Sequence, residues 1–177
     1  MDRIMPEAAA VKPCKKIALV LGSASNLQIA EKSAAVLKSL DLPFEVRILS
    51  AHRTPSEVAS FALNARKKGF GVIIAFAGMA AHLAGAIAAQ TTLPVIAVPC
   101  KGGALDGLDA LLSCVQMPSG VPVATVALDG GENAAIFAAQ ILSVSDEKTA
   151  SALMSKKKEM TKAVLEADKE HSQKFAL

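Results

Sequence analysis

From Lys16 the hydrophobic positions repeat one arrangement: a short aliphatic run, a loop holding glycine or serine, then a longer stretch with apolar residues three and four apart. Residues 16–21 read as a buried strand, 22–26 as its loop, and 27–40 as a helix with Ile29, Ala30, Ala34, Leu37 and Leu40 near one stripe. Pro43 opens a second unit. Its strand is predicted over 44–49, its loop over 50–55, and its helix over 56–68, with Val58, Phe61, Ala62 and Ala65 inward and Gly69 as the stop. A third strand over 72–77 precedes a small-residue helix over 80–89. A fourth over 95–98 precedes a helix near 105–115, and a fifth over 123–128 precedes a helix over 132–142.

Strands separated by helices imply right-handed crossovers, and near-continuous apolar strands imply a parallel sheet covered on both faces. The pattern predicts an α/β fold, a doubly wound parallel sheet in three α/β/α layers. Residues 146–171 change character: they are rich in lysine and glutamate and read as one long C-terminal helix. Ala152, Leu153, Met160, Val164 and Leu165 could give that helix a seam for the body or a neighbouring subunit; a wholly solvated helix is the alternative. The expected organisation is a flexible segment over 1–15, a single catalytic domain over 16–145 and a docking helix within 146–177.

Composition narrows the function. With 177 residues, 52% of them hydrophobic, the chain carries more apolar surface than a monomer of its size needs, which points to a large core and a subunit interface. The alanine-rich helices after the third and fifth strands are the expected interface. Six phenylalanines without tryptophan or tyrosine disfavour stacked bases and aromatic platforms. The net charge of +3 and a single Lys156–Lys158 cluster beside Glu159 make no nucleic-acid footprint. Cys14, Cys100 and Cys114 have neither zinc-ligand spacing nor the even count of a disulfide framework. Residues 1–16 lack the apolar core of a signal peptide, and no apolar run is long enough to span a bilayer, so a cytoplasmic protein without membrane contact is expected.

In a doubly wound sheet, ligands bind beyond the carboxyl ends of the strands, where strand order reverses and loop amides and helix N-termini converge. Four segments qualify: 22–26, 50–55, 78–82 and 101–103. Gly22 lets backbone approach an anion, with Ser23 and Ser25 adding hydroxyls; Ser25 or Asn26 could equally serve as a helix cap. Arg53 can clamp a phosphate or carboxylate with its forked donors, next to His52, whose side-chain type titrates near neutrality. His82 is either part of this site or a packing or capping residue. These loops hold no pair of magnesium-binding carboxylates, no Walker lysine, no GxGxxG and no metal-ligand spacing. What remains is a cofactor-free and metal-free site that grips a phosphorylated small molecule, with a histidine as acid and base.

The segments Ser50-Ala51-His52-Arg53-Thr54-Pro55, Ala80-Ala81-His82-Leu83 and 115–127 (VQMPSGVPVATVA) closely resemble the N5-carboxyaminoimidazole ribonucleotide mutase family of purine biosynthesis, also known as the catalytic subunit of phosphoribosylaminoimidazole carboxylase. The resemblance runs in register from about Lys16 to Val144. It implies a flavodoxin-like fold, a homo-octamer with sites between subunits, and a functional link to a synthetase that makes the carbamate substrate. The implied substrate is a phosphoribosyl-aminoimidazole. Ser23 and Ser25 would lie around its phosphoribosyl part, with Asn26 at the ribose, Ser50 and Arg53 on its phosphate, and Ala80, Ala81, His82 and Leu83 over its ring and carboxylate; Gly22, Ala51 and Gly78 are further substrate-binding candidates in the same loops. His52 would be the general acid and base.

Four positions depart from the family pattern. Asn26 replaces an aspartate that accepts from ribose hydroxyls, Phe76 and Met79 replace glycines, and Ala84 replaces a proline. Side chains at 76 and 79 are expected to occupy space where the family keeps bare backbone near the ligand. The alternatives to the mutase are a carboxylase that takes free carbon dioxide and a paralogue with an altered substrate or a non-catalytic binding role.

Overall fold

The computed structural model describes residues 15–172 and residue 174. The expected flexible segment lies, except for Lys15, outside the described residues, as does Cys14. The elements in chain order are β1 Lys16–Leu21, α1 Leu27–Ser39, β2 Phe44–Ile48, α2 Pro55–Ala65, β3 Phe70–Gly78, α3 Leu83–Ala88, β4 Val95–Cys100, α4 Leu108–Val115, β5 Ala124–Thr125, α5 Gly131–Ser143 and α6 Glu147–Ser172. A 3-10 turn, Ala24–Asn26, leads into α1.

All strands pair in parallel in the order β2-β1-β3-β4-β5. This is the flavodoxin-like order, with its switch point between β1 and β3. Alternate residues of each central strand feed opposite faces, because a strand's side chains alternate. Ile17, Leu19, Leu21, Ile74, Phe76, Ile96 and Val98 pack under α1 and α5. Ala18, Val20, Ile73, Ala75, Val95 and Ala97 pack under α2, α3 and α4. Both faces are covered, so β1, β3 and β4 are apolar almost throughout. The edge strand β2 is half-buried at its start and exposed at Val46 and Ile48.

The structure adjusts several boundaries for local reasons. Helix α3 begins at Leu83 rather than residue 80, because Met79 takes a left-handed backbone (φ +54°) that no right-handed helix continues through. Helix α4 begins at Leu108 because Asp106 and Gly107 are left-handed in turn. Strand β5 is only two residues long; beyond it the backbone bonds to β4 continue irregularly, from Val126 N to Ala97 O at 3.1 Å and from Asp129 N to Pro99 O at 2.9 Å.

The alanine-rich face of α5 packs inside this chain. Ala134, Ala135, Ala138 and Ala139 of α5 are fully buried within this chain, where small side chains let α5 lie close to the sheet and α1. The closest approach is at Gly131: Ser33 of α1 donates to its carbonyl at 2.7 Å, and an added Cβ would stand 2.5 Å from the Ile29 carbonyl oxygen. Helix α6 docks through its first turns, with Ala152 and Leu153 against the core and Asp146 accepting from the Thr149 amide and hydroxyl at its start. Met160, Val164 and Leu165, the distal part of the expected seam, are exposed.

Gly131→Ala must displace backbone or the buried Ser33 hydroxyl, and we expect it to cost about 1–3 kcal/mol. Ser33→Ala, which removes one buried hydrogen bond without overlap, should cost about 1 kcal/mol. Urea unfolding midpoints test the order; a Gly131→Ala protein as stable as the original would contradict the close helix contact.

Candidate active site

The carboxyl ends of β1, β2, β3 and β4 surround one cleft of about 710 Å³. Gly22, Ser23, Ser25 and Asn26 line it from the β1 loop, Ser50, Ala51, His52 and Arg53 from the β2 loop, and Gly78, Ala80, Ala81, His82 and Leu83 from the β3 loop. Every site residue proposed from the sequence therefore meets in one place. The cleft also takes in Ala77, Met79, Lys101, Gly102 and Gly103. The 101–103 stretch is legible in the sequence only as the loop after the fourth strand; no side-chain pattern there announces a ligand contact.

The β2 loop is braced locally. The Thr54 hydroxyl accepts from Ser50 N at 2.9 Å and donates to Ser50 O at 3.1 Å, closing a tight turn before Pro55 opens α2. That turn brings Arg53 back onto Ser50: Arg53 N and Nε donate to Ser50 Oγ at 3.2 and 3.3 Å. The guanidinium also reaches across the switch point, donating from Nη2 to the Gly22 carbonyl at 3.1 Å. Arg53 is thereby held at the β1 loop with donors of its fork still unused, next to a serine hydroxyl, as an anion clamp requires.

The two loop histidines face each other across the cleft. His52 Nε2 and His82 Nδ1 are 2.6 Å apart, and the rings meet edge to face with centroids 4.8 Å apart. One nitrogen must donate and the other accept, so each ring dictates the other's tautomer. His82 occupies the N-cap position of α3 but makes no capping bond with its side chain. Its ring lines the cleft and meets His52 instead of capping the helix.

Asn26 likewise stands at the N-cap position of α1 without a side-chain cap bond. The only side-chain cap in this loop comes from Ser23, whose hydroxyl accepts from Ser25 N at 3.3 Å. Asn26 is nearly buried and borders the cleft.

The expectation for Phe76 is corrected. Its ring is fully buried in the core under α1 and α5 and does not line the cleft, because residue 76 lies on the face of β3 opposite to the α3 side. Only its carbonyl reaches the site's edge, accepting from Gly22 N at 2.9 Å. Ala84 is also buried, packed on the opposite face. Met79 does line the cleft, and the residue is 63% exposed.

Below the cleft sit two reduced cysteines, Cys100 at the end of β4 and Cys114 in α4. Burial, assisted by the Asp129 carboxylate, pushes the Cys100 thiol up to about 12, and burial pushes Cys114 up to about 11. Neither is a nucleophile at neutral pH. Asp129 has a second role: its carboxylate accepts from Lys101 N at 2.9 Å and ties down the start of the β4 loop.

The family model described as AIR carboxylase matches residues 16–163. The chain is 50% identical over 159 residues to the N5-carboxyaminoimidazole ribonucleotide mutase of Methanocaldococcus jannaschii, covering 90% of this chain and 99% of that protein. It is 52% identical over 138 residues to the phosphoribosylaminoimidazole carboxylase of Saccharomyces cerevisiae, covering 78% of this chain but only 24% of that longer protein. Among solved structures, Treponema denticola PurE superposes with a TM-score of 0.79 at 29% identity, covering 88% of this chain and 98% of that one.

The buried thiols generate a prediction with two readouts. In the native protein at neutral pH, iodoacetamide should modify neither Cys100 nor Cys114, and denaturation should expose both; peptide mass mapping reads this directly. Between the ordinary thiol value of 9.0 and the raised values, the unfolded chain has released protons that the folded chain keeps. Stability contributed by the neutral thiols is thus complete below that value and falls as pH rises through it. Replacing both cysteines by alanine should flatten the fall in urea midpoint on the alkaline side.

Proposed function

The chain belongs to the AIR carboxylase family, and on that premise we propose that it is an N5-carboxyaminoimidazole ribonucleotide mutase with His52 as its single acid and base. The observation that carries this reading is the meeting of His52 and His82 at 2.6 Å in a cleft bounded on another side by Arg53 and Ser50. A phosphoribosyl-aminoimidazole fits such an arrangement. Its phosphate takes the guanidinium and hydroxyl, its ribose the β1 loop with Asn26, and its ring lies against residues 80–83.

The reaction transfers a carboxylate from the exocyclic nitrogen to the adjacent ring carbon. As the nitrogen–carbon bond of the carbamate breaks, its electron pair stays on nitrogen, protonated His52 delivers a proton there, and carbon dioxide is set free in the cleft. The electron-rich ring carbon then attacks the carbon dioxide and forms the carbon–carbon bond. His52, now neutral, removes the proton from that ring carbon, restoring aromaticity and its own starting state. Protons and electrons balance within the substrate and one histidine. His82, through the 2.6 Å contact to Nε2, fixes the orientation of the His52 ring in the cleft.

A second reading has one observation in its favour: the relative named as a carboxylase is as similar over its matching part as the mutase is. In that reading free carbon dioxide is the substrate and the first step is absent. We also propose the assembly expected from the family, eight copies around a catalytic body over 16–145, in a cytoplasmic setting and supplied by a synthetase that forms the carbamate. Support for an assembly comes from Leu105, Leu108, Leu112 and Val115, an exposed apolar stripe in and just before α4.

The deciding assay offers the purified protein the carbamate nucleotide in one tube and aminoimidazole ribonucleotide with bicarbonate in another. Carbon-carboxylated product in the first alone identifies the mutase, in the second alone the carboxylase, and in neither a paralogue. His52→Asn should lower turnover by about 10²–10⁴-fold with nucleotide binding largely kept. Asn26→Asp should leave activity equal or higher, since a carboxylate at a helix start is favoured and accepts from ribose hydroxyls as well as an amide does. An active His52→Asn protein would sink the mechanism.

A further inference from the structure

We infer that Met79 is a movable wall of the cleft that holds released carbon dioxide over the ring until the ring carbon attacks it; the inference rests on the mutase reading. The first observation is conformational. Met79 sits at φ +54°, a left-handed conformation that a side chain makes unfavourable and that glycine would adopt freely. The surrounding structure imposes it: Gly78 is paired to Cys100 at the end of β3, and Ala81 N bonds back to Gly78 O at 3.2 Å, so residue 79 must turn sharply between them. A non-glycine residue kept at such a turn, on the rim of a cleft, is a pointer to use at the site.

The second observation is where the side chain goes. Met79 borders the cleft three residues before His82, and its Cγ lies 3.6 Å from the point where a Cβ on Gly103 would stand. It therefore spans from the end of β3 to the loop after β4, closing one side of the mouth with apolar atoms. Residues 102 and 103 are both glycine, with positive φ (+135° and +71°), so that loop presents no side chains where Met79 approaches.

The third consideration is chemical. Carbon dioxide is small and uncharged and is no longer held by a covalent bond once the nitrogen–carbon bond breaks. Only the walls keep it from water. An unbranched thioether suits this position because it can swing aside to admit the nucleotide and settle back against the loop.

The test follows the mutase reaction in carbon-13 bicarbonate buffer and measures, at low conversion, the share of carbon-carboxylated product that carries the label. Label enters only when the original carbon dioxide escapes and is replaced. Met79→Ala and Met79→Gly should raise that share about twofold to fivefold, the modest effect of one largely exposed apolar side chain. Met79→Leu should stay near the original protein. Met79→Gly, freed of the left-handed side chain, should also melt higher than Met79→Ala, which reports on the backbone alone. Equal label uptake in the original protein, Met79→Ala and Met79→Gly overturns the inference while leaving the mutase reading intact. A rise in Met79→Gly alone overturns it too, by assigning the effect to the backbone. Failure of the original protein to convert the carbamate nucleotide overturns the functional reading and the inference with it.

Discussion

The parallel pairing of β1 with β3 is the constraint on which the cleft depends. Because β2 lies outside β1 and β4 outside β3, the chains leaving β1 and β3 diverge to opposite faces and open a crevice between their ends. Gly22 N to Phe76 O, at 2.9 Å, is the last bond before they part. Phe76 joins two levels of the structure there. Its ring is anchored in the core beneath α1 and α5, and its carbonyl fixes the loop that carries Ser23, Ser25 and Asn26. Arg53 then ties the β2 loop to the same glycine. The position of the Arg53 guanidinium is thus inherited from buried aliphatic packing several residues below it.

Left-handed backbone gathers at the same end of the sheet. Met79 after β3, Gly102, Gly103, Asp106 and Gly107 after β4, and Asp129 after β5 are all left-handed. Of the described non-glycine residues with this backbone, only Asp41 lies elsewhere, in the turn between α1 and β2. The remaining face of the protein is regular: crossover helices, close alanine packing and short turns. A rigid body supporting strained, small-residue loops suits a reaction whose intermediate must be confined and whose substrate must still enter.

Much of this was legible in the residues. Each central strand announces itself as an apolar run, and the αβ alternation implies a doubly wound sheet before any contact is known. The motif around His52 and Arg53 and the segment ending at Leu83 carry the family, and all the residues they nominate converge on one cleft. The misjudged points were those where burial depends on which side of a strand a residue occupies. Phe76 follows Ala75 by one position and so faces the opposite layer, a parity that a near-continuously apolar strand conceals because both faces are buried. The α5 alanines were open to the same ambiguity, since a small apolar helix face suits a subunit contact and a tight internal contact equally well.

Local sequence carries the fold class, the family and the residues that line the cleft, because hydrophobic period and local motifs are properties of neighbouring residues. Tertiary structure alone decided that His82 turns to His52 instead of capping its helix, and that Asn26 faces the cleft without capping α1. It also decided that Met79 and the 101–103 loop close the mouth together. Each of these depends on two segments far apart in the chain being brought within a few ångströms by sheet order. No local pattern encodes that distance.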